Sequence, residues 1–171
     1  MKNTILIVTV AAIALIGGMT TRQLLSAPIT QASQTQLPEF SLPDLSGKQH
    51  SMTEWQGKVR VINFWATWCP PCLKEMPEFT NLQKQFADQG LQFIGIALDD
   101  SEPVKEFVNS NKINYPILLG QDQGTKIAHS LGNLVDTVPF TVIIDKQGMI
   151  VKSKMGVISR DELVEIVKPL L

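Results

Sequence analysis

The sequence predicts an α/β domain: a mixed central sheet with helices on both faces. Two observations carry that prediction. Apolar, β-branched runs suited to buried strands alternate with helix-period segments in the order β-α-β-α-β. The last third then changes pattern, with two strand-like runs around a turn followed by a final helix.

Each element has its own signal. Residues 40–42 and 49–52 flank the turn-rich Asp44-Leu45-Ser46-Gly47-Lys48 and predict a small N-terminal hairpin. Residues 59–65 are apolar except for Arg60 and Asn63, as a buried central strand requires. Leu73, Met76, Phe79, Leu82 and Phe86 recur at three- and four-residue intervals, a helix that Gly90 stops. Residues 91–98 form the next strand, and a second helix runs from about Ser101 to Asn111. A short strand over 115–119 and a short helix over 123–131 follow. Residues 140–145 and 150–155 make a hairpin around Lys146-Gln147-Gly148. Ser159 with Glu162 predicts a capping box for the last helix, whose apolar face is Leu163, Ile166, Val167 and Leu170.

The chain has 171 residues, 44% of them hydrophobic and 18% charged, which is the composition of one globular domain. Its 15 basic and 16 acidic residues are interspersed, so no nucleic-acid partner is expected. Lys2 precedes an apolar run from Ile5 to Met19 that predicts a signal peptide or, preferably, an uncleaved membrane anchor. A Thr-, Ser- and Gln-rich stretch follows it. The expected organisation is an anchor or signal over 1–22, a linker over 23–36 and the folded domain over 37–171, outside the cytoplasm.

Only two cysteines occur, Cys69 and Cys72, and the loop between them is too short for a disulfide to add appreciable stability. Cys69-Pro70-Pro71-Cys72 directly follows a predicted strand and opens a helix. Prolines suit a first turn, and residues three apart on a helix come within reach of a disulfide. At the helix N-terminus unpaired N–H groups and the dipole favour the Cys69 thiolate, which makes Cys69 the attacking sulfur and Cys72 the resolving one.

The segment Asn63-Phe64-Trp65-Ala66-Thr67-Trp68-Cys69-Pro70-Pro71-Cys72 resembles the thioredoxin superfamily, and most closely its TlpA/ResA-like, membrane-anchored branch. The likeness extends over most of residues 37–171, including the N-terminal hairpin and an insert around 115–131. It implies a thioredoxin fold and thiol–disulfide exchange, with reduction of exported proteins expected before oxidation. Pro77 matches a proline that kinks the active-site helix, and Val138-Pro139 matches a cis-proline loop that faces the cysteines. Trp68, Pro70, Pro71, Val138 and Pro139 are thereby implied as the substrate-contacting surface. Glu75 matches a glutamate near the cysteines that can exchange a proton with a thiol; its other reading is an acid favoured by the helix dipole. Two positions depart from the pattern. Asn63 stands where thioredoxins bury an Asp, and Phe140 where cytochrome-maturation members carry a Glu.

The rival readings are metal sites and a peroxidatic centre. Zinc needs four ligands, and beyond the cysteines only the isolated His50 and His129 are available. A copper-delivery module using both thiols and His129 is the alternative function. Pro38-Glu39-Phe40-Ser41-Leu42 is similar to the opening of peroxiredoxins, but Ala66 and Ile62 replace the Thr and Pro expected before a peroxidatic cysteine. No metal or cofactor is therefore expected. The expected partners are disulfide-containing exported proteins, a membrane electron-donor protein and the membrane itself, with the chain a monomer.

Overall fold

The computed structural model describes residues 35–171, and the segment Thr35–Leu171 forms a compact unit. The expected anchor lies outside the described residues. Among the described residues no helix is long and apolar enough to cross a membrane.

A two-stranded antiparallel hairpin, β1 (Ser41–Pro43) and β2 (Gln49–Ser51), comes first. The central strand β3 (Val59–Trp65) is buried along its whole length. Helix α1 (Pro70–Phe86), strand β4 (Leu91–Ala97), helix α2 (Ser101–Ser110), strand β5 (Ile117–Leu119) and helix α3 (Gln121–Ser130) follow. Strands β6 (Phe140–Ile144) and β7 (Ile150–Met155) form the late hairpin, and α4 (Arg160–Val167) closes the chain. The sheet order is β5-β4-β3-β6-β7. β3, β4 and β5 are parallel neighbours, while β6 and β7 add antiparallel pairs. This is the expected mixed sheet.

Strand alternation divides the core into two layers. On one face Val59, Val61 and Trp65 pack with Met76, Phe79, Leu82 and Phe86 of α1, Val104 of α2, and Leu163 and Val167 of α4. On the other, Ile62, Phe64, Ile94 and Ile96 pack with Ile127 and Ala128 of α3 and with Leu42, Met52 and Trp55 around the first hairpin. Asn63 lies on the α1 side of β3, in register with Gly95 of β4 and Thr141 of β6. A Cβ on Gly95 would meet Ile117 Cδ1 at 2.5 Å and Trp65 Nε1 at 3.1 Å, so a side chain there would displace the Ile117 methyl.

The structure adjusts three expectations. Strand β5 begins at Ile117 rather than 115, because Pro116 has no N–H to give a ladder; its carbonyl accepts from Gly95 instead. Only half of the Ser159 capping box forms: the hydroxyl accepts from Glu162 N–H, but the Glu162 carboxylate pairs with Lys154 at 3.1 Å. The complete box is at Ser51 and Glu54, opening a short 3-10 turn. Ordered pairing also begins before Leu37. Ile150 N–H donates to Thr35 O at 2.9 Å and Gln36 bridges to Met149, so the hairpin holds two residues read from sequence as linker.

Candidate active site

The Cys69–Cys72 pair sits at the junction of β3 and α1. Cys69 is the N-cap of α1, and Pro70 and Pro71 occupy its first two positions. The two sulfurs are joined in a disulfide with Cα atoms 5.3 Å apart. Cys69 Sγ accepts the Cys72 N–H at 3.3 Å, so a backbone donor and the helix N-terminus both face the sulfur expected to carry negative charge. Cys69 is 4% exposed and Cys72 is fully covered, so Cys69 is the sulfur a partner can reach. Trp68 beside it is 64% exposed, and Pro70 and Pro71 are exposed.

The loop before Cys69 is pinned by a residue that the motif did not reveal. Thr67 donates its backbone N–H to Asp99 Oδ2 at 3.1 Å, and its hydroxyl donates to the same oxygen. Asp99 lies just beyond the C-terminal end of β4, next to β3, where ligands and loops of parallel sheets gather. That position was its only sequence signal.

The Val138–Pro139 peptide is cis. Pro139 is buried and Val138 half-buried, so of the pair Val138 is the one that faces outward. Pro139 O accepts from Gly156 N–H at 2.8 Å, while among the described residues the Val138 backbone makes no hydrogen bond. Helix α1 runs through Pro77 without ending, although Pro77 cannot donate to Leu73 O.

Glu75 is not a first-turn acid. It sits in the second turn of α1, 5% exposed, with its side chain turned towards the sheet. Oε1 accepts from Asn63 Nδ2 at 3.0 Å and Oε2 from the Ile158 N–H at 3.2 Å. Burial pushes its carboxyl up to about 7, against the opposing pull of those two donors. Asn63 Nδ2 also donates to Thr141 Oγ1 at 3.0 Å. A groove of roughly 410 Å³, lined by Pro71, Lys74, Glu78, Val157 and Arg160, reaches Glu75 from solvent. Sequence reasoning had picked Glu75 and Asn63 separately. It missed Thr141 and Ile158, because the contacts join segments 78 and 83 positions apart.

The histidines have other occupations. His50 lies between Glu54 at 2.8 Å and Asp44 at 3.0 Å, stacked on Trp55, and His129 pairs with Asp136 at 2.5 Å. Among the described residues no three His, Cys, Asp or Glu side chains are grouped to hold a metal ion.

A disulfide-forming Cys-Pro-Pro-Cys pair at a helix N-terminus and a cis-proline just before β6, on a mixed five-stranded sheet, define a thiol–disulfide oxidoreductase of thioredoxin fold. The chain belongs to the Redoxin family, which it matches over residues 32–168. It is 35% identical over 127 residues to the thiol-disulfide oxidoreductase ResA of Bacillus anthracis, covering 74% of this chain and 71% of the relative. The ResA protein of Bacillus subtilis is 32% identical over 136 residues, covering 77% and 74%. Among solved structures, a thioredoxin-family thiol:disulfide interchange protein from Chlorobium tepidum superposes with a TM-score of 0.75 at 30% identity. That match covers 82% of this chain and 99% of that one.

Proposed function

We propose that this oxidoreductase works outside the cytoplasm, tethered by residues 1–22, and reduces disulfides of exported proteins. The supporting observation is the asymmetry of the pair: a reachable, N-H-facing Cys69 sulfur and a fully covered Cys72. In the reduced chain the Cys69 thiolate attacks one sulfur of a substrate disulfide. That bond breaks, a mixed disulfide forms, and the first substrate sulfur leaves as a thiolate that takes up a proton. Cys72 gives its proton to ionised Glu75, and the new thiolate attacks Cys69 Sγ. The second substrate thiolate is released. The substrate has gained two electrons, and the chain is left with the Cys69–Cys72 disulfide. A membrane electron-donor protein of thiol chemistry would return those electrons.

Trp68, Pro70, Pro71 and Val138 would form the contact surface, with Pro139 shaping it from beneath. The Val138 backbone, unpaired among the described residues, would bond an extended substrate segment. In Cys72→Ala the resolving step is missing, so Cys69 should remain in a mixed disulfide that separates from free chain on a non-reducing gel. Cys69→Ser should abolish insulin reduction without loss of the fold; retained activity would overturn the role given to Cys69. A reduction potential well above that of the compartment's thiol pool would overturn the direction.

A further inference from the structure

The contacts of Asn63 leave one atom over. Its Nδ2 has two hydrogens, and both are used, on Glu75 Oε1 and Thr141 Oγ1 at 3.0 Å each. Its Oδ1 is buried without a hydrogen-bond partner among the described residues. This orientation suits an ionised Glu75, which then accepts two bonds, from Asn63 and from Ile158. A neutral Glu75 is a different neighbour. Its one acidic hydrogen needs an acceptor, and Asn63 in this orientation, like the Ile158 N–H, offers Glu75 only a donor.

Turning the amide over supplies that acceptor and moves the two Nδ2 hydrogens to the place Oδ1 now holds. Oδ1 would then stand where Nδ2 stands now and would accept from the Glu75 O–H. It would also accept from the Thr141 hydroxyl, whose hydrogen has no acceptor among the described residues. We propose that the Asn63 carboxamide turns over when Glu75 takes up a proton, so that Asn63 is a positioning residue able to hold either state of the acid. The inference rests on the reading of Glu75 as the proton acceptor, and deepens it. An amide does what the buried Asp of thioredoxins cannot do here: it offers a donor or an acceptor to Glu75 without adding a second buried charge. Thr141 lies two residues beyond Pro139, so the turnover carries the proton state of α1 to the strand behind the cis-proline loop.

Several charged or titratable groups share the helix of Glu75 or face its groove, while burial, opposed by the Ile158 and Asn63 donors, is what raises its carboxyl. Lys74, Glu78 and the cysteines share its helix, and Arg160 opens α4 across the groove. Lys154 on β7 is engaged by Glu162, and buried Tyr115 lies before β5. The turnover follows the protonation of Glu75 rather than any fixed pH, so the test compares two signals in one sample.

The experiment is a side-chain NMR titration of the full oxidised chain in detergent, over about pH 5 to 9. It follows Glu75 13Cδ, Asn63 15Nδ2, and nuclear Overhauser contacts from the Asn63 amide hydrogens to Thr141. Both resonances should move with one midpoint, and the contacts to Thr141 should be present above it and lost below it. Contacts unchanged across a clear Glu75 midpoint would overturn the turnover and leave the role of Glu75 standing. A Glu75 that never titrates in this range would overturn both.

Discussion

Glu75 bears the largest electrostatic cost in the site. Its carboxyl is raised from 4.5 to about 7, first by burial, with the Ile158 N–H and Asn63 amide opposing. The folded chain therefore holds this proton more tightly than the unfolded chain. The corresponding stability is present in full below 4.5, falls as pH rises, and is gone above about 7. A shift of this size corresponds to about 3 kcal/mol. Urea midpoints of the oxidised protein should show that decline between about pH 4.5 and 7, and Glu75→Gln, which never ionises, should remove that part of the slope. Equal slopes in both proteins would mean that Glu75 is ionised in both states. On the proposed role of Glu75 as proton acceptor for Cys72, the same substitution should also slow resolution of the mixed disulfide.

At the scale of elements, the site is a place where four segments are tied together. Glu75 links α1 to β3 through Asn63, and to the segment before α4 through Ile158. That segment also holds the Pro139 carbonyl through Gly156, so the cysteine helix and the cis-proline loop are fixed to one another by short bonds. The first hairpin has an electrostatic lock of its own. Glu54, and then Asp44, raise His50 above its ordinary 6.5. A raised histidine contributes stability below its unfolded value and loses it as pH rises through the folded one. His50→Phe keeps an aromatic ring on Trp55 but removes the charge. The stability gap between wild type and variant should therefore be wider at about pH 5.5 than at about pH 9. A gap independent of pH would assign His50 to packing alone.

At the scale of the whole molecule, the N-terminal edge of the compact unit matters most. Leu37 is buried among the hairpin-side residues, and its N–H donates to Gly148 O at 2.9 Å. Loss of that burial together with the Thr35 and Leu37 backbone bonds should cost about 2 kcal/mol. A chain starting at Glu39 should therefore melt several degrees below one starting at Thr35, with insulin reduction preserved in both at low temperature. Identical melting would mean that the pairing of residues 35–38 adds nothing to the fold.

The sequence by itself determined the architecture and the chemistry, since both are written in local signals. The 59–65 strand, the helix period from Leu73 to Phe86 and the Ser159 cap each depend on neighbours a few positions away, and each formed within a residue or two. The cysteines were legible for the same reason, because strand, Cys-Pro-Pro-Cys and helix are contiguous. Tertiary structure alone decided what Glu75 is. In sequence it reads equally as a dipole-favoured acid and as a buried one. Only the register that sets Asn63 against Thr141, and the return of the chain at Ile158, close a shell around it. Burial and hydrogen bonding act through space rather than along the chain, so the pair that reacts could be read from ten consecutive residues, and the surroundings of Glu75 could not.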